Sequence, residues 1–477
     1  MKTGLRLILA WLSCAPLQGC VSAEDFKCTS NRQCLDAAGA QGVCEANGSC
    51  SFPDDACSGS LRRYTEDAQG ASASQCVTAP ATSCVKQLSG GEVHFCLLET
   101  NGSAWCWGSN EHGQLGDDST ESHDAPVRVK IPATTKLVTI FAAEAQSCAL
   151  DDKGIVYCWG GNEDGALGVA SGWTTDAKGN DVPEFDEGDV VQPQAITEVL
   201  EPNTAGIYQR KPAPVFTTLA VGGVHGCAMT AAGALYCWGE NNHEQVGVPR
   251  TAFESEILPV PTRVLDTPKS IKAIALGDEF SLLLTQDGSV FAFGDNSYGE
   301  LGNAMLGGES AKPVQVAITA VRELAPGAAH ACAEKEDGTI WCWGYGATGA
   351  LGLGNTDNQT SPKYVTAARN VASSGNAFHT CAIDVNLDLE CWGQNAAGAI
   401  GNGSVSDGQE TWVATPTLVP LTTVTAVATS NSATCALTTD SVLWCWGENA
   451  DGQLGGGAEV STTAPTPEPI RASFACN

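Results

Sequence analysis

Charge is scarce in this chain of 477 residues, and cations are the scarcest: 24 Lys+Arg stand against 54 Asp+Glu, and charged residues make up only 16%. An ordinary soluble domain carries about a quarter. The formal charge of −30 leaves no surplus of cations to displace phosphate counterions, which excludes nucleic acid as a partner. No run of 18 apolar residues occurs, so no helix is expected to span a membrane in the mature chain. Walker loops, G-x-S-x-G and the kinase motifs are missing, and nothing nominates a nucleophile with its base. C-x-x-C and C-x-x-C-H are also missing, so zinc-knuckle, redox and haem readings lose their usual spacing. The chain reads as a non-enzyme with no cofactor.

What is abundant is cysteine, 22 in all, together with 53 Gly and 22 Pro. A reducing cytosol would leave those cysteines as thiols, so an oxidising compartment is expected, with metal binding as the rival reading. The first residues agree. Lys2 and Arg6 precede the apolar core Leu7–Leu12, and small residues follow, as in an export signal too short to span a bilayer. Leu17-Gln18-Gly19-Cys20 resembles the bacterial lipobox, which implies a signal peptide over 1–19 and acylation of Cys20. Two or three acyl chains anchor stably where one does not. The resemblance implies an outer-membrane or cell-surface lipoprotein of a Gram-negative bacterium. Simple cleavage near Ala23, with a secreted product, is the alternative. Loss of 1–19 removes two cations and takes the charge from −30 to about −32.

Residues 20–83 form a cysteine-rich neck containing Cys28, Cys34, Cys44, Cys50, Cys57 and Cys76. So few apolar side chains bury little core, and cross-links must help hold the segment. Six cysteines allow 15 connectivities. The pairing expected here is Cys28 with Cys44, Cys34 with Cys50 and Cys57 with Cys76.

Residues 84–477 are periodic. Cys-x9-Cys-Trp-Gly recurs six times, as Cys96 and Cys106, Cys148 and Cys158, Cys227 and Cys237, Cys332 and Cys342, Cys381 and Cys391, and Cys435 and Cys445. A seventh copy has Leu282 and Ala292 in the two places, so both cysteines are lost together, as a disulfide requires. A turn such as Thr100-Asn101-Gly102 lies midway, which sets residues i and i+10 opposite each other on two antiparallel strands. Each of the six pairs is therefore expected to be a disulfide. Seven Pro-x-x-Val/Ile segments follow, at Pro126, Pro212, Pro261, Pro313, Pro362, Pro416 and Pro467. The first hairpin has none before it, so a ring closes if the Pro467–Ile470 strand joins the blade begun at Cys84. A bridge between Cys84 and Cys476 would then seal the ring.

The W-G-x-N-x-x-G-Q-L-G, P-x-x-V and G-x-x-H-x-C-A-L pattern resembles the regulator-of-chromosome-condensation repeat. That resemblance implies an all-β, seven-bladed β-propeller of four-stranded blades behind a small disulfide-rich N-terminal module. A bacterial branch of that family includes propeller inhibitors of β-lactamase.

Trp107, Trp159, Trp238, Phe293, Trp343, Trp392 and Trp446 share one repeat position and are expected between blades, not around a ligand. His94, His225, His330 and His379 each stand two before a hairpin Cys and are expected to be structural, not metal ligands. His243-Glu244-Gln245 begins like a zinc-protease helix but lacks the second His. One gap between hairpins is long, with an insertion over 170–211. It is acidic and carries Trp173, Phe185, Tyr208 and Arg210, a candidate partner-binding wing. The function that follows is a monomeric, membrane-anchored scaffold for an unknown protein or glycan. An inhibitor of a secreted or periplasmic enzyme is the alternative, and a glycan-active enzyme the third reading.

Overall fold

The structure is a computed structural model that describes residues 43–44, 50–53, 62–64, 84–253, 255–403, 412–457 and 466–471. Short strands at Val43–Cys44, Cys50–Pro53 and Arg62–Tyr64 form a small three-stranded sheet. The neck pairings, Cys20 and the signal segment lie outside the described residues.

From residue 84 onward the chain is a seven-bladed propeller. In blade 1 the strands Val85–Gly90, His94–Glu99, Ala104–Gly108 and His123–Arg128 pair in chain order, from the channel outward. The other six blades, over 137–195, 216–263, 271–315, 321–367, 369–418 and 424–471, repeat this order.

Each Cys-x9-Cys segment is the middle hairpin, and its two cysteines face each other across the strands. Cys96 is bonded to Cys106 in blade 1, Cys148 to Cys158 in blade 2 and Cys227 to Cys237 in blade 3. Cys332 is bonded to Cys342 in blade 5, Cys381 to Cys391 in blade 6 and Cys435 to Cys445 in blade 7. The Cα atoms stand 4.1 Å apart in all six. The expected pairing is thus present in every copy that has the cysteines, and the metal reading has no free thiolate at any of the twelve. All of them are fully buried. Leu282 and Ala292 are opposed in the same register in blade 4.

The ring closes differently from the sequence-based expectation. Thr466–Arg471 pairs with Leu443–Gly447 as the outer strand of blade 7, so it does not join blade 1. Every blade takes its four strands in chain order, the inner strand that precedes each hairpin completing it, and in blade 2 an inserted hairpin stands between the third and fourth strands. Blades 7 and 1 meet by packing: Trp107 Nε1 donates to the Gln453 carbonyl at 2.9 Å, and Asn431 N to the Glu92 carbonyl at 3.2 Å. Cys84 is disulfide-bonded; Cys476 lies outside the described residues. A second correction concerns Pro212, which ends an inserted hairpin strand, Tyr208–Pro212. The outer strand of blade 2 is Val190–Ala195, carrying Pro193, and runs into Ile196.

The seams between blades are built from repeated side chains. The six tryptophans and Phe293 are fully buried. Each indole donates to a carbonyl in the preceding blade: Trp159 to Gln114, Trp238 to Ala166, Trp343 to Glu300, Trp392 to Ala350 and Trp446 to Ala399, at 2.7–2.9 Å. Burying each such ring removes on the order of 150–250 Å² from water. The Leu-Gly that ends the turn makes room: a Cβ on Gly116 would stand 2.6 Å from Trp159 Nε1. The turn is folded by its Asn, whose Oδ1 accepts the backbone N–H five residues on, as Asn110 does from Leu115 at 2.9 Å.

The histidines are seam groups too. His94, His330 and His379 sit 2.8–2.9 Å from Ser147, Thr380 and Thr434 of the following blade. Those hydroxyls donate to turn carbonyls, so the imidazole Nε2 carries the proton and the rings are neutral. Burial lowers their pKa values to about 3 or 4. His225 also stands 2.8 Å from Ser281 of the following blade, and differs in that its Nδ1 lies 3.0 Å from the Asp278 carbonyl. The Gly of G-x-x-H serves the ring: a Cβ on Gly327 would lie 2.1 Å from His330 Cε1.

Candidate functional site

The inner strands of all seven blades line a central cavity of about 320 Å³. Leu88, Phe141, Val221, Ile274, Leu324, Val371 and Val427 fill much of its wall, and Glu323 is the carboxylate among its lining residues. Over one end the blade 6 loop, 373–378, reaches across: Ser374 N donates to Thr429 Oγ1, and a Cβ on Gly375 would lie 3.1 Å from Gly222 Cα in blade 3. That end is therefore a platform more than a pore. We call it the mouth face. It is built from the loop between the first and second strands of each blade and the glycine-rich turn between the third and fourth.

The repeats agree where they build seams and disagree where they meet solvent at the mouth. The residue after the Gly or Ala that opens the inner loop is Glu92, Glu144, Gly223, Asp278 and Ala328 in blades 1 to 5. The fifth residue of the glycine turn is His112, Asp164, His243, Tyr298, Thr348, Ala397 and Asp451 in blades 1 to 7. Carboxylates thus collect over blades 1 to 4, with Asp451 of blade 7 adjoining blade 1, and small or aromatic residues over blades 5 and 6.

The carboxylates feel one another. Glu144 is pushed up to about 7 by burial, with Glu92, Asp164, Glu240 and Glu163 adding repulsion. Asp278 reaches about 7 by burial and the charges of Glu144, Glu279, Glu240 and Asp164. Burial and Asp164 lead Glu240 up to about 6. Glu300, beneath Tyr298, is pushed up to about 7, chiefly by burial. Groups that repel across blades 2, 3 and 4 share one surface, although Glu144 and Asp278 stand 134 residues apart in sequence.

Beside this acidic sector lies an aromatic one. Tyr298 packs edge-on to Tyr345 with ring centres 4.8 Å apart, and Tyr345 to Phe378 at 5.9 Å. Tyr298 is 41% exposed, and the neighbouring turn of blade 4 exposes Met305 and Leu306 at 61% and 65%.

His243, Glu279 and Asp295 offer one ligand atom each within 4.8 Å of one another. His243 Nε2 faces Glu279 at 3.5 Å and Nδ1 faces Asp295 at 3.6 Å, with Glu309 at 3.9 Å. This set suits either a divalent cation held by one nitrogen and carboxylate oxygens or an imidazolium bonded on both sides. His112 repeats the theme, 3.2 Å from Asp189 between blades 1 and 2.

The insertion is not a free wing. Its two hairpins, Gly172–Thr175 with Asp181–Glu184 and Glu198–Pro202 with Tyr208–Pro212, flank the outer strand of blade 2 in sequence. The second extends blade 3 to six strands through Leu200 opposite Thr262. Tyr208 is buried against Phe253, ring centres 5.0 Å apart, so it packs the insertion and is unavailable to a partner. Trp173 donates to Glu198 at 3.0 Å, Arg210 pairs with the same carboxylate, and the Arg210 guanidinium lies 5.0 Å over the Trp173 ring. Phe185 is half-buried among Glu184, Asp186 and Glu187. Sequence reasoning missed the mouth carboxylates. Aligning the seven copies column by column at the inner loop would have found them.

A profile of the RCC1-like domain matches residues 56–377 and again 186–476. The ultraviolet-B receptor UVR8 of Arabidopsis thaliana is 27% identical over 296 residues, 61% of this chain and 60% of that protein. The probable E3 ubiquitin-protein ligase HERC4 of Homo sapiens is 31% identical over 247 residues, 51% of this chain and 21% of that protein. The chain therefore spans less than two thirds of these curated relatives. Among solved structures, yeast RCC1 (Prp20) bound by Kap60 superposes with a TM-score of 0.62 at 20% identity, covering 83% of this chain and 85% of that one. Human WBSCR16 superposes with a TM-score of 0.62 at 19% identity, covering 78% and 95%. Both structural likenesses are of fold.

Proposed function

The chain belongs to the RCC1-like domain family, and from that premise we propose a non-enzymatic scaffold that binds a protein partner through its mouth face, held at the cell envelope by acylated Cys20. One observation carries the choice of face: a template repeated seven times keeps its buried seam ring, Trp in six blades and Phe293 in the other, and changes its mouth residues blade by blade. Positions that build the ring are bound to one solution by packing. Positions free of that demand carry recognition. The lining of the central cavity argues against glycoside hydrolysis there, since Glu323 is its one carboxylate and no pair is brought to one spot. Kap60 bound to yeast RCC1 is a precedent for a protein partner on this fold, and only that.

The test is capture of envelope proteins by the full chain, compared between wild type and a mouth variant carrying Glu144→Gln, Asp278→Asn and Tyr345→Ala. Loss of one specific captured band in the variant supports the reading. Capture that survives the variant but is lost on changing Trp173 and Phe185 returns binding to the insertion. For the anchor, Cys20→Ala should move the protein from the membrane fraction to the soluble fraction; unchanged fractionation removes acylated Cys20 from the account.

A further inference from the structure

We propose that the mouth face takes a cationic, amphipathic polypeptide segment, its Lys and Arg side chains over the carboxylates of blades 1 to 4 and its apolar side chains against Tyr298, Tyr345 and Phe378. This rests on the mouth as the binding face and adds the chemistry of the partner. The starting point is the aromatic sector. Tyr298 stands exposed against the half-buried Tyr345, which packs on the half-buried Phe378, and the same turn of blade 4 exposes Met305 and Leu306. Exposed apolar surface gathered in one place marks a surface that is covered in use, and tyrosine rings dominate such contacts.

What covers it is decided by the adjoining charge. The leading charges acting on Glu144 and on Asp278 are other carboxylates. The nearby Arg250 is already committed to Glu309 and Glu256. A nucleic acid would be repelled, and a neutral glycan would leave the carboxylates facing one another. A simple cation would neutralise the acidic sector and leave the rings bare. A polypeptide with cations on one side and apolar groups on the other answers both sectors at once. Because burial and mutual repulsion hold protons on Glu144 and Asp278 near pH 7, an arriving cation displaces them, and binding tightens as pH rises from 6 to 8.

The experiment uses the full chain and two fluorescent peptides of about 15 residues, long enough as helices to cross the face at 1.5 Å per residue. One is Lys/Leu, with the leucines on one side; the other has Ser for every Leu. The Lys/Leu peptide should bind at least about tenfold more tightly than Lys/Ser. Tyr298→Ala with Tyr345→Ala should weaken Lys/Leu by about tenfold and leave Lys/Ser unchanged. Glu144→Gln with Asp278→Asn should weaken both peptides and flatten their salt dependence. Asp152→Asn with Glu336→Gln, on the opposite face, should change neither. Melting curves of each variant confirm the fold before binding is read. Equal affinity for the two peptides, or equal loss from the opposite-face pair, overturns the proposal, since either means bulk attraction to a chain of charge −30. If the peptides fail while mouth-dependent capture persists, the partner chemistry is wrong and the binding face stands.

Discussion

The seams and the mouth of this propeller are written in the same repeat and obey opposite rules. At the seams, all seven copies bury a ring, the six indoles each bond a turn carbonyl in the blade before, and in blades 2, 4, 6 and 7 a hydroxyl meets a histidine of the preceding blade. At the mouth, residues one or two places along the same loops diverge into a half-ring of acids and a patch of aromatics. A ring has no free end to absorb misfit, so each seam is held to a single geometry. A mouth residue touches solvent and is free to serve a partner.

The seam side of that contrast breaks hardest at a tryptophan. Trp343→Ala should cost about 3–5 kcal/mol, because it empties a buried site and strips the Glu300 carbonyl of its indole donor. Denaturant titration reads the loss, and a cost under about 1 kcal/mol would mean the seam repacks. Blade 4 offers the reverse change. Leu282→Cys with Ala292→Cys places two cysteines at opposed positions. A seventh bridge should form, found by mass under non-reducing digestion, and should stabilise by up to about 2–3 kcal/mol, lost on reduction. Asn241→Ala should cost about 1–2 kcal/mol, since Val246 N–H loses its acceptor inside the turn.

The smallest effect compares the two regions directly through pH. Mouth acids raised to about 7 bind protons that the unfolded chain releases. Their stabilisation is full below the ordinary carboxylate range and is lost as pH climbs through 7. The seam histidines, lowered to about 3 or 4, work the other way: their contribution is full above 6.5 and is lost as pH falls. The melting temperature should therefore rise from pH 8 to about 6.5 and then level where the two oppose. Glu144→Gln with Asp278→Asn should raise it by about 2 °C at pH 8 and flatten that rise. A slope unchanged in the variant would detach the mouth acids from it.

Much of this was legible in the chain and some was not, for physical reasons. The blades and their disulfides, from Cys96 with Cys106 to Cys435 with Cys445, could be read because a hairpin sets a fixed i to i+10 register. The closure was misread because the inner strands, such as Leu137–Ala142 and Phe216–Val221, carry no fixed motif, only the run of apolar and Thr residues that any strand shows. Without them the first repeat looked incomplete. Pro193 and Pro212 both precede an apolar residue by three, and strand pairing alone separates them. The mouth stayed hidden because its acids are scattered along the chain and meet only when the ring brings blades 1 to 4 round. Tyr208 tempted as an aromatic in a polar stretch; the stretch folds back and buries it.

The central claim is that recognition sits at the mouth. Hydrogen–deuterium exchange on the full chain, with and without saturating Lys/Leu peptide, addresses it most directly. The account predicts slowed exchange in the inner loops at 91–93, 143–145 and 277–279 and in the blade 4 and 5 turns around Tyr298 and Tyr345. Slowing confined to the inserted hairpins, or to the turns of the opposite face, would contradict it.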